Sequence, residues 1–477
     1  MVGNEGSQNL SADEVRRRFD SHHQGHVFRF WDRLDPAARE HLLAQAAALD
    51  LPALLAALAS CRSQVDEAPP KLEPVRVERL PEHGGDSERI AEARRRGEDL
   101  LAQGRVGVLV VAGGQATRLG YDGPKGAFPI GPVSDRTLFE IQAQKLRGLR
   151  RRTGCRVPWY VMTSTATDAA TRARFEAEGY FGLPTEDVFF FQQAMVPSFD
   201  FENRLILAEP GRIMENPNGH GGSLTALHAS GALDDMARRG IDTLFYYQVD
   251  NPLVRMADPG FLGFHDATDS EVSCKVVRKQ DPEEKVGVLA RVNGEVGVVE
   301  YTELDDEHRH ARDAEGELVY WAGNTAIHVL DTTFVRRVAA DADRLLPYHA
   351  SVKKIPCVDE DGRTATPETP NGLKLERFVF DALPVARNVC IVETARSEEY
   401  SPVKNAQGND SPATSRRDLA AEYRRWLGAA GIALPDVSAA IELDHAWIDG
   451  TEDARALGIE HVAEGGDMIR IAVGVDR

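Results

Sequence analysis

The sequence predicts an α/β protein built around a doubly wound, parallel sheet. Between residues 105 and 250, short runs rich in β-branched and aromatic residues alternate with longer helical patterns. The first run, VGVLVV at residues 106–111, is apolar throughout, which is typical of a strand buried on both faces. Such alternation of strands and helices is the pattern of parallel sheets with helical crossovers.

Helices are predicted to precede this core. Ser11 and Asp13 can cap a helix, and the apolar residues of the segment 28–34 recur at helical spacing. The helical pattern continues to about residue 63. Prolines and glycines then predict a linker or wrapping arm over residues 65–85, and a further helix is expected over residues 87–103. Residues 1–100 are therefore predicted to form an N-terminal helical arm.

The central and C-terminal regions are predicted element by element. The expected strands are residues 106–111, 157–163, 187–192, 243–249, 272–278, 286–292 and 296–301. The expected helices are residues 138–152, 168–178 and 223–239. We assign these elements to a central domain over residues 101–395. A helix at 411–426 and short strands through residues 469–475 predict a small, β-containing C-terminal domain over residues 396–477.

Composition and charge exclude several classes of protein. The 477 residues include 56 Lys and Arg against 75 Asp and Glu, which gives a net charge of −19. This charge disfavours binding to nucleic acid or to anionic membranes. No apolar run reaches about 18 residues, so no membrane span is expected. The five cysteines are scattered and residues 1–20 lack the pattern of a signal peptide, so a cytoplasmic location is expected.

The segment with the most chemical information is AGGQATRLG at residues 112–120, followed by PKG at residues 124–126. Glycines at the end of a strand let backbone N–H groups approach an anion closely. Arg118 and Lys125 add two cations to the same loop. The spacing matches neither the P-loop nor the dinucleotide-binding fingerprint, so neither of those classes is expected.

A second glycine-rich turn, NPNGHGG at residues 216–222, follows the sequence FQQ at residues 191–193. The Gln193 side chain can both donate and accept, which suits the edge of a base such as uracil. His220 could bond a sugar or simply belong to the turn. The chain has no G-x-S-x-G nucleophile elbow, which argues against serine hydrolysis.

Further candidates follow the predicted strand that ends at residue 249. Asp250 lies where ligands and hard cations bind in α/β sheets, although an Asx turn before Pro252 is the alternative. Glu300 and Asn324 are residue types that bond sugar hydroxyls, and Lys404 adds one more cation. Each of these residues alone is uninformative.

Taken in order, these segments resemble the eukaryotic-type UDP-N-acetylglucosamine pyrophosphorylases, within the wider UTP:sugar-1-phosphate uridylyltransferases (UDPGP type 1 family). The resemblance extends through TLFEIQAQKL at 137–146, VDNPLVRMADP at 249–259, PNGLKLERFVFD at 370–381 and SPVKNA at 401–406. It covers about residues 20–420. It implies a Rossmann-like (GT-A-like) nucleotidyltransferase domain with a mixed sheet core, an N-terminal helical arm and a small C-terminal domain.

The resemblance also implies a reaction and a set of site residues. UTP and a sugar 1-phosphate would give UDP-sugar and pyrophosphate, with Mg²⁺ as cofactor and Asp250 as its carboxylate. The residues implied to meet phosphates are Arg118, Lys125 and Lys404. The residues implied to hold uridine are Gly113, Gly114, Gln193 and Gly219. The residues implied to line the sugar pocket are His220, Gly287, Glu300, Tyr301, Asn324, Phe378 and Phe380.

Two departures from the family pattern bear on these expectations. Ala116 replaces a glycine of the loop, and its methyl group narrows the approach to the nucleotide unless the residue has a negative φ. His220 stands where the N-acetylglucosamine enzymes have asparagine, and its G-H-G turn resembles that of UDP-glucose and broad UDP-sugar pyrophosphorylases. We expect an N-acetylhexosamine 1-phosphate as substrate, with glucose 1-phosphate as the alternative. A non-catalytic UDP-sugar-binding regulator is a further alternative, which the retained cations disfavour.

Overall fold

A computed structural model describes residues 11–63, 70–434, 440–456, 463–465 and 468–470. Its contacts divide the chain into two compact units. The smaller unit comprises Met1–Pro69, Ala194–Gly222 and Ala342–Asp381, and the larger unit comprises Pro70–Gln193, Ser223–Asp341 and Ala382–Arg477. The boundaries expected at residues 100 and 395 stay a prediction.

The helices of the described residues are α1 Ala12–Ser21, α2 Pro36–Ala48, α3 Leu51–Ser63, α4 Ser87–Ala102, α5 Leu138–Thr153, α6 Asp168–Ala177, α7 Gly222–Ala229, α8 Ala232–Arg239, α9 Pro259–Ala267, α10 Asp306–His310, α11 Thr332–Ala340, α12 Ala342–Leu345, α13 Arg396–Glu399, α14 Pro412–Ala429 and α15 Thr451–Ala456.

The strands of the described residues are β1 Leu72–Pro74, β2 Val106–Val111, β3 Trp159–Thr163, β4 Val188–Gln192, β5 Met195–Pro197, β6 Phe199–Asp200, β7 Leu207–Glu209, β8 Arg212–Ile213, β9 Glu215–Pro217, β10 Thr243–Gln248, β11 Val272–Arg278, β12 Val288–Val292, β13 Glu295–Val299, β14 Ala322–Asp331, β15 His349–Lys353, β16 Cys357–Val358, β17 Thr364–Ala365, β18 Gly372–Glu376, β19 Val389–Glu393, β20 Ala440–Ile441, β21 Ala463–Gly465 and β22 Met468–Arg470.

The larger unit contains a ten-stranded mixed sheet. Seven strands follow the order β1-β12-β14-β10-β2-β3-β4, while β11 pairs with β14 and β19, and β13 pairs with β12. Strands β10, β2, β3 and β4 are parallel, whereas β14 runs antiparallel to β10. The mixed sheet implied by the resemblance is therefore confirmed. The parallel pairing predicted for the strands now labelled β2, β3, β4 and β10 is confirmed as well. The antiparallel pairs of this sheet involve other strands, such as β12 and β13, which are joined by a tight Asn293-Gly294 turn rather than by a helical crossover.

Helices α4 and α9 cross in backbone contact within the larger unit. A Cβ atom on Gly97 would lie 1.8 Å from the Pro259 carbonyl oxygen, and one on Gly263 would lie 1.6 Å from that of Ala93. Only glycine allows this approach, because no side chain fits between the two backbones. The crossing places Leu100 and Leu101 of α4 in the core of the unit.

The predicted elements differ from the structure at three places. The helix expected over 223–239 is two helices, α7 and α8, because Gly231 adopts a left-handed φ of +78° between them. The predicted linker contains β1, which pairs with β12, while residues 65–69 lie outside the described residues. Of the C-terminal strands, β22 is present, and residues 471–477 lie outside the described residues.

The smaller unit has a core of its own. Helices α1 to α3 contribute Phe19, Leu42 and Leu58, and the short strands contribute Phe199 and Leu375. Its largest sheet has the order β15-β18-β6. Among the described residues, no single helix is long and apolar enough to cross a membrane, although the consecutive segments Pro36–Ala48 and Leu51–Cys61, bent by 62°, together meet that length and composition.

Candidate functional site

The candidate site of the larger unit lies where four parallel strands end. Val111 of β2 pairs with Gln248 of β10 and with Met162 of β3, so these strands end at the same level. Ligands of α/β proteins bind at such carboxyl ends. The loop that begins at residue 112, Gln193 and Asp250 all directly follow these strands.

The glycine loop after β2 is folded back on itself. The Lys125 N–H donates to the Gly114 carbonyl at 3.0 Å, and the Ala116 N–H donates to the Gly123 carbonyl at 3.0 Å. The Ser164 hydroxyl, at the end of β3, donates to the Gly113 carbonyl at 2.7 Å. These bonds bring Lys125 back to the end of β2.

Two glycines of the loop face different surroundings. A Cβ atom on Gly113 would lie 2.2 Å from Nε2 of Gln193, so the two predicted uridine residues are neighbours. A Cβ atom on Gly114 would meet no protein atom within 4 Å. Among the described residues, the backbone N–H groups of Gly113 and Gly114 form no hydrogen bond. The loop thus offers two donors that an anion or a base can use.

Ala116 does not strain the loop. Its φ is −95° and its side chain is buried. Because this φ is negative, the residue needs none of the freedom of glycine. The alanine that departs from the family pattern is therefore compatible with the loop.

Lys125, Asp250 and Lys404 form one charged cluster. The Lys125 ammonium donates to Oδ2 of Asp250 at 2.9 Å, and both side chains are largely buried. The segment that carries Lys404 is bonded to the same place, because the Val403 N–H donates to the Asp250 carbonyl at 2.9 Å. The Lys404 ammonium donates to the Tyr400 hydroxyl at 3.3 Å. The structure therefore brings together three residues that the sequence places far apart.

The two lysines dominate the electrostatics of this cluster. Burial alone would raise the pKa of Asp250, but Lys125 and Lys404 outweigh it and hold that pKa below its usual value. Burial likewise opposes the charge of Lys404, yet Tyr400 and Asp250 raise its pKa above the usual value. Asp250 is therefore ionised and Lys404 protonated at pH 7.

Arg118 is not part of this cluster. Its side chain is exposed, and among the described residues it forms no ion pair. It lies on the short 3-10 turn Thr117–Leu119 of the glycine loop. The Arg118 guanidinium is therefore accessible from solvent.

Helix α5 holds the loop that carries Asp250. The Gln142 side chain donates to the Val249 carbonyl at 2.9 Å, and the Lys145 ammonium donates to the Pro252 and Val254 carbonyls, both at 2.8 Å. Lys145 is buried, and burial lowers its pKa. Sequence reasoning missed both residues. The only signal was a polar pair three positions apart on the buried face of an amphipathic helix.

Four predicted sugar residues lie at the end of β12, β13 and β14. The Asn324 N–H donates to the Gly287 carbonyl at 2.8 Å. A Cβ atom on Gly287 would lie 3.1 Å from a carboxylate oxygen of Glu300, so this carboxylate lies against the glycine. Tyr301 follows and is 38% exposed. Asn324 also has a local role, because its Oδ1 accepts the Ala326 N–H at 3.0 Å.

The smaller unit brings its own predicted residues together. The ring of His220 stacks on Phe378 with centroids 5.2 Å apart, and Phe380 lies 5.6 Å away. Burial, together with His349, lowers the pKa of His220 to about 4, so the ring is neutral at pH 7. Its Nδ1 accepts the Val379 N–H at 3.2 Å, which places the proton on Nε2.

The glycine turn before His220 is fixed by its neighbours. Gly219 has a φ of +86°, and a Cβ atom there would lie 2.5 Å from the Arg377 carbonyl oxygen. Sequence reasoning missed His349, which stacks on Phe378 with centroids 4.5 Å apart and bonds Asp381 at 2.9 Å. No spacing in the sequence indicates this stack, because residue 349 is far from residue 220.

The larger unit therefore has a mixed α/β sheet with a glycine loop and a lysine–carboxylate cluster at the carboxyl edge of its parallel strands. The comparisons with known proteins give the family. The family of UTP–glucose-1-phosphate uridylyltransferases matches residues 58–410, and the chain belongs to it.

Similar proteins cover most of the chain. The UDP-N-acetylhexosamine pyrophosphorylase-like protein 1 of Xenopus tropicalis is 40% identical over 464 residues, which cover 94% of this chain and 91% of that protein. The UDP-N-acetylglucosamine pyrophosphorylase of Saccharomyces cerevisiae is 39% identical over 74% of this chain and 76% of its own length. The crystal structure of uridine diphosphate N-acetylglucosamine pyrophosphorylase from Trypanosoma brucei, in complex with an inhibitor, has a TM-score of 0.81 at 29% identity, over 96% of this chain and 95% of that one.

Proposed function

We propose that this uridylyltransferase uses UTP and N-acetylglucosamine 1-phosphate to make UDP-N-acetylglucosamine and pyrophosphate. The cluster of Lys125, Asp250 and Lys404 beside the glycine loop is the observation that carries the proposal. The names of relatives that are 36 to 40% identical to the chain support the choice of sugar.

The chemistry explains why cations and no general base are required. The attacking oxygen belongs to a phosphate monoester with a second pKa of about 6, so it is largely ionised at pH 7. It forms a bond to the α-phosphorus of UTP, the bond from that phosphorus to the bridging oxygen breaks, and pyrophosphate leaves with the electron pair. Two like charges about 4 Å apart repel by about 4 kcal/mol at an effective dielectric constant of about 20.

Lys125 and Lys404 are the residues proposed to offset this repulsion, with the exposed Arg118 reaching the outer phosphates. The Lys125 ammonium pairs with Asp250, and the charge of Lys404 also lowers the pKa of that carboxyl, so both lysines act on the same place and little reorganisation is needed. Gly113, Gly114 and Gln193 are proposed to hold uridine in the larger unit. We propose separately that Gly219 contacts uridine and that His220 lines the sugar pocket.

Asp250 is the carboxylate that we propose for Mg²⁺. This ion binds proteins through one or two carboxylates together with substrate phosphates, so a single aspartate beside phosphate-binding lysines fits. In the described part of the chain, no group of three or more His, Cys, Asp and Glu side chains could hold a metal ion, so the ion proposed here depends on the nucleotide. When bound, it would neutralise part of the phosphate charge.

The substrate is tested by pyrophosphate release from UTP and Mg²⁺ with four sugar 1-phosphates. We expect N-acetylglucosamine and N-acetylgalactosamine 1-phosphates to react fastest. A preference for glucose 1-phosphate would assign the sugar choice to His220 and overturn the proposed substrate. Release with none of the four sugars, combined with tight binding of UDP-sugar, would indicate the non-catalytic regulator. Reactions without UTP or with a chelator serve as controls.

We also propose that the chain works in the cytoplasm. All five cysteines are free, and those on β11 and β19 are buried, which suits a reducing compartment. Fractionation of the native host cell, with the thiols titrated in each fraction, tests this location.

A further inference from the structure

Asn251, next to Asp250, connects two segments of the proposed active site. It is 3% exposed. Its Nδ2 donates to the Glu399 carbonyl at 2.6 Å, and its Oδ1 accepts the Ser401 N–H at 3.1 Å. Both ends of one side-chain amide therefore bond the backbone that leads to Lys404.

Other bonds also hold this backbone, since the Ser415 hydroxyl donates to the Ser401 carbonyl at 2.6 Å and the Lys404 N–H donates to the Asp410 carbonyl at 2.7 Å. Residues 401–404 belong to no helix or strand, and the short helix α13 ends at Glu399. The segment is bonded to the Asp250 loop by the Val403 N–H, which reaches the Asp250 carbonyl at 2.9 Å. The amide of Asn251 supplies two further bonds between the same segments.

A buried network of ion pairs holds Glu399, the residue whose carbonyl accepts the Asn251 amide. The Glu399 carboxylate pairs with Lys275 and accepts the Arg255 N–H at 3.2 Å. Lys275 also pairs with Asp258 at 2.8 Å. Glu399 is thus held in place, and Asn251 bonds to a fixed point.

We propose that Asn251 is a positioning residue that holds the Lys404 ammonium beside Asp250, a role in catalysis that rests on the uridylyltransferase function proposed above. The Coulomb attraction between two charges falls with their separation, so a displaced Lys404 loses its effect on Asp250 and on the incoming phosphates. Both ends of the Asn251 amide are occupied by backbone groups. Its effect on the reaction passes through Lys404.

A double-mutant cycle tests this role. We expect Asn251→Ala to lower kcat by about 10- to 100-fold, because small misplacements of a catalytic group have costs of this size. Lys404→Ala should lower kcat as well. The double variant should be no worse than Lys404→Ala alone, because Asn251 has nothing left to position. Losses that multiply in the double variant would overturn the proposal.

Asn371→Ala is the matched control. Asn371 makes the same pair of bonds in the smaller unit, since its Oδ1 accepts the Ile355 N–H at 2.7 Å and its Nδ2 donates to the Ile355 carbonyl at 2.9 Å. This variant removes equivalent bonds and should lower Tm without changing kcat. An equal fall in kcat for both asparagine variants would mean that Asn251 has only a structural role.

A second measurement does not depend on the reaction. Acetylation of Lys404 by acetic anhydride, followed by peptide mass spectrometry, reports how its ammonium is held. We expect faster acetylation in Asn251→Ala than in the wild-type chain, with Lys71 as the internal reference. An unchanged rate would overturn the positioning role. Faster acetylation in a chain that releases no pyrophosphate would retain the positioning role and reject the proposed function.

Discussion

Asp250 is the residue on which both lysines of the candidate site act. Its carboxylate accepts Lys125, and its backbone carbonyl accepts the N–H of Val403, next to Lys404. A carboxylate between two lysines keeps them close despite their mutual repulsion. Removing either lysine therefore changes the charge of the site and the position of the remaining groups.

Lys125→Ala is expected to lower kcat by roughly 10²–10³, the effect of losing one preorganised donor to a developing negative charge. Steady-state pyrophosphate release at saturating UTP measures it. Lys71→Ala, which removes an exposed lysine whose ammonium pairs with Glu73, is the control and should behave as wild type. Wild-type turnover in Lys125→Ala would remove this lysine from the proposed mechanism.

The Gly114→Ala substitution should weaken ligand binding without lowering the stability of the fold. The added methyl group meets no protein atom within 4 Å, so Tm should stay unchanged. It would occupy the space from which a nucleotide approaches the loop, and a loss of about 1–3 kcal/mol in binding corresponds to about a 5- to 150-fold rise in KM for UTP. Gly428→Ala in α14, which also meets no atom, is the control. An unchanged KM would place the nucleotide elsewhere.

At the scale of elements, the strands that could be predicted are the buried apolar ones. Strands β2 and β10 lie within one residue of their expected bounds, because their side chains are apolar and β-branched or aromatic. The short strands β5 to β9, β16 and β17 were not predicted, because two or three residues carry no periodicity. The positions at which a helix is interrupted, such as Gly231, depend on tertiary packing and were therefore not predicted.

The site was predictable where it has motifs and unpredictable where it depends on backbone contacts. Asp250 and Lys125 lie in motifs that resemble a family, so the sequence indicated them, although not their direct ion pair. Asn251 and Lys145 were missed because their bonds are to carbonyl and N–H groups of distant segments. Such bonds leave no spacing that a single sequence can reveal.

The crossing of α4 and α9 gives a prediction at the same scale. Gly263→Ala should lower the free energy of unfolding by about 1–3 kcal/mol, because its methyl group would overlap the Ala93 backbone. Gly260→Ala, in the same helix, should change it by less than about 1 kcal/mol, because its nearest neighbour would be 3.7 Å away. Urea unfolding of both variants measures the difference. Equal stabilities would show that the helices can separate at no cost.

At the scale of the whole molecule, the cations of the proposed site contrast with the negative net charge of the chain. The chain carries a net charge of −19, yet the proposed site includes three cations, Arg118, Lys125 and Lys404. The acidic surface repels anions at a distance, and the local cations attract them at close range. This combination favours small phosphorylated ligands over nucleic acid.

The stability of the larger unit should depend on pH through Glu422 of α14. Burial, partly offset by Lys145, raises the pKa of Glu422 from 4.5 to about 8. Between pH 4.5 and pH 8 the folded chain holds a proton on Glu422 that the unfolded chain has lost. The stability contributed by the protonated side chain is therefore complete below pH 4.5 and is lost as the pH rises to 8.

Glu422→Gln should therefore raise Tm more at pH 8.5 than at pH 5.5, because glutamine cannot ionise. Thermal unfolding followed by circular dichroism at both pH values measures this difference. Glu88→Gln, at an exposed position, is the control and should show the same small change at both pH values. A gain that is larger at pH 5.5 would contradict the assigned direction.

The order of strands in the large sheet also determines how the chain must fold. β10 lies between β2, which is synthesised long before it, and β14, which is synthesised long after it. Sheets with such distant pairings fold slowly, because large loops must close before their contacts form. Until residues 322–331 leave the ribosome, the edge of β10 has unpaired backbone groups that another chain can bind. We therefore expect fragments that end before β14 to aggregate, although they contain the whole glycine loop and Asp250.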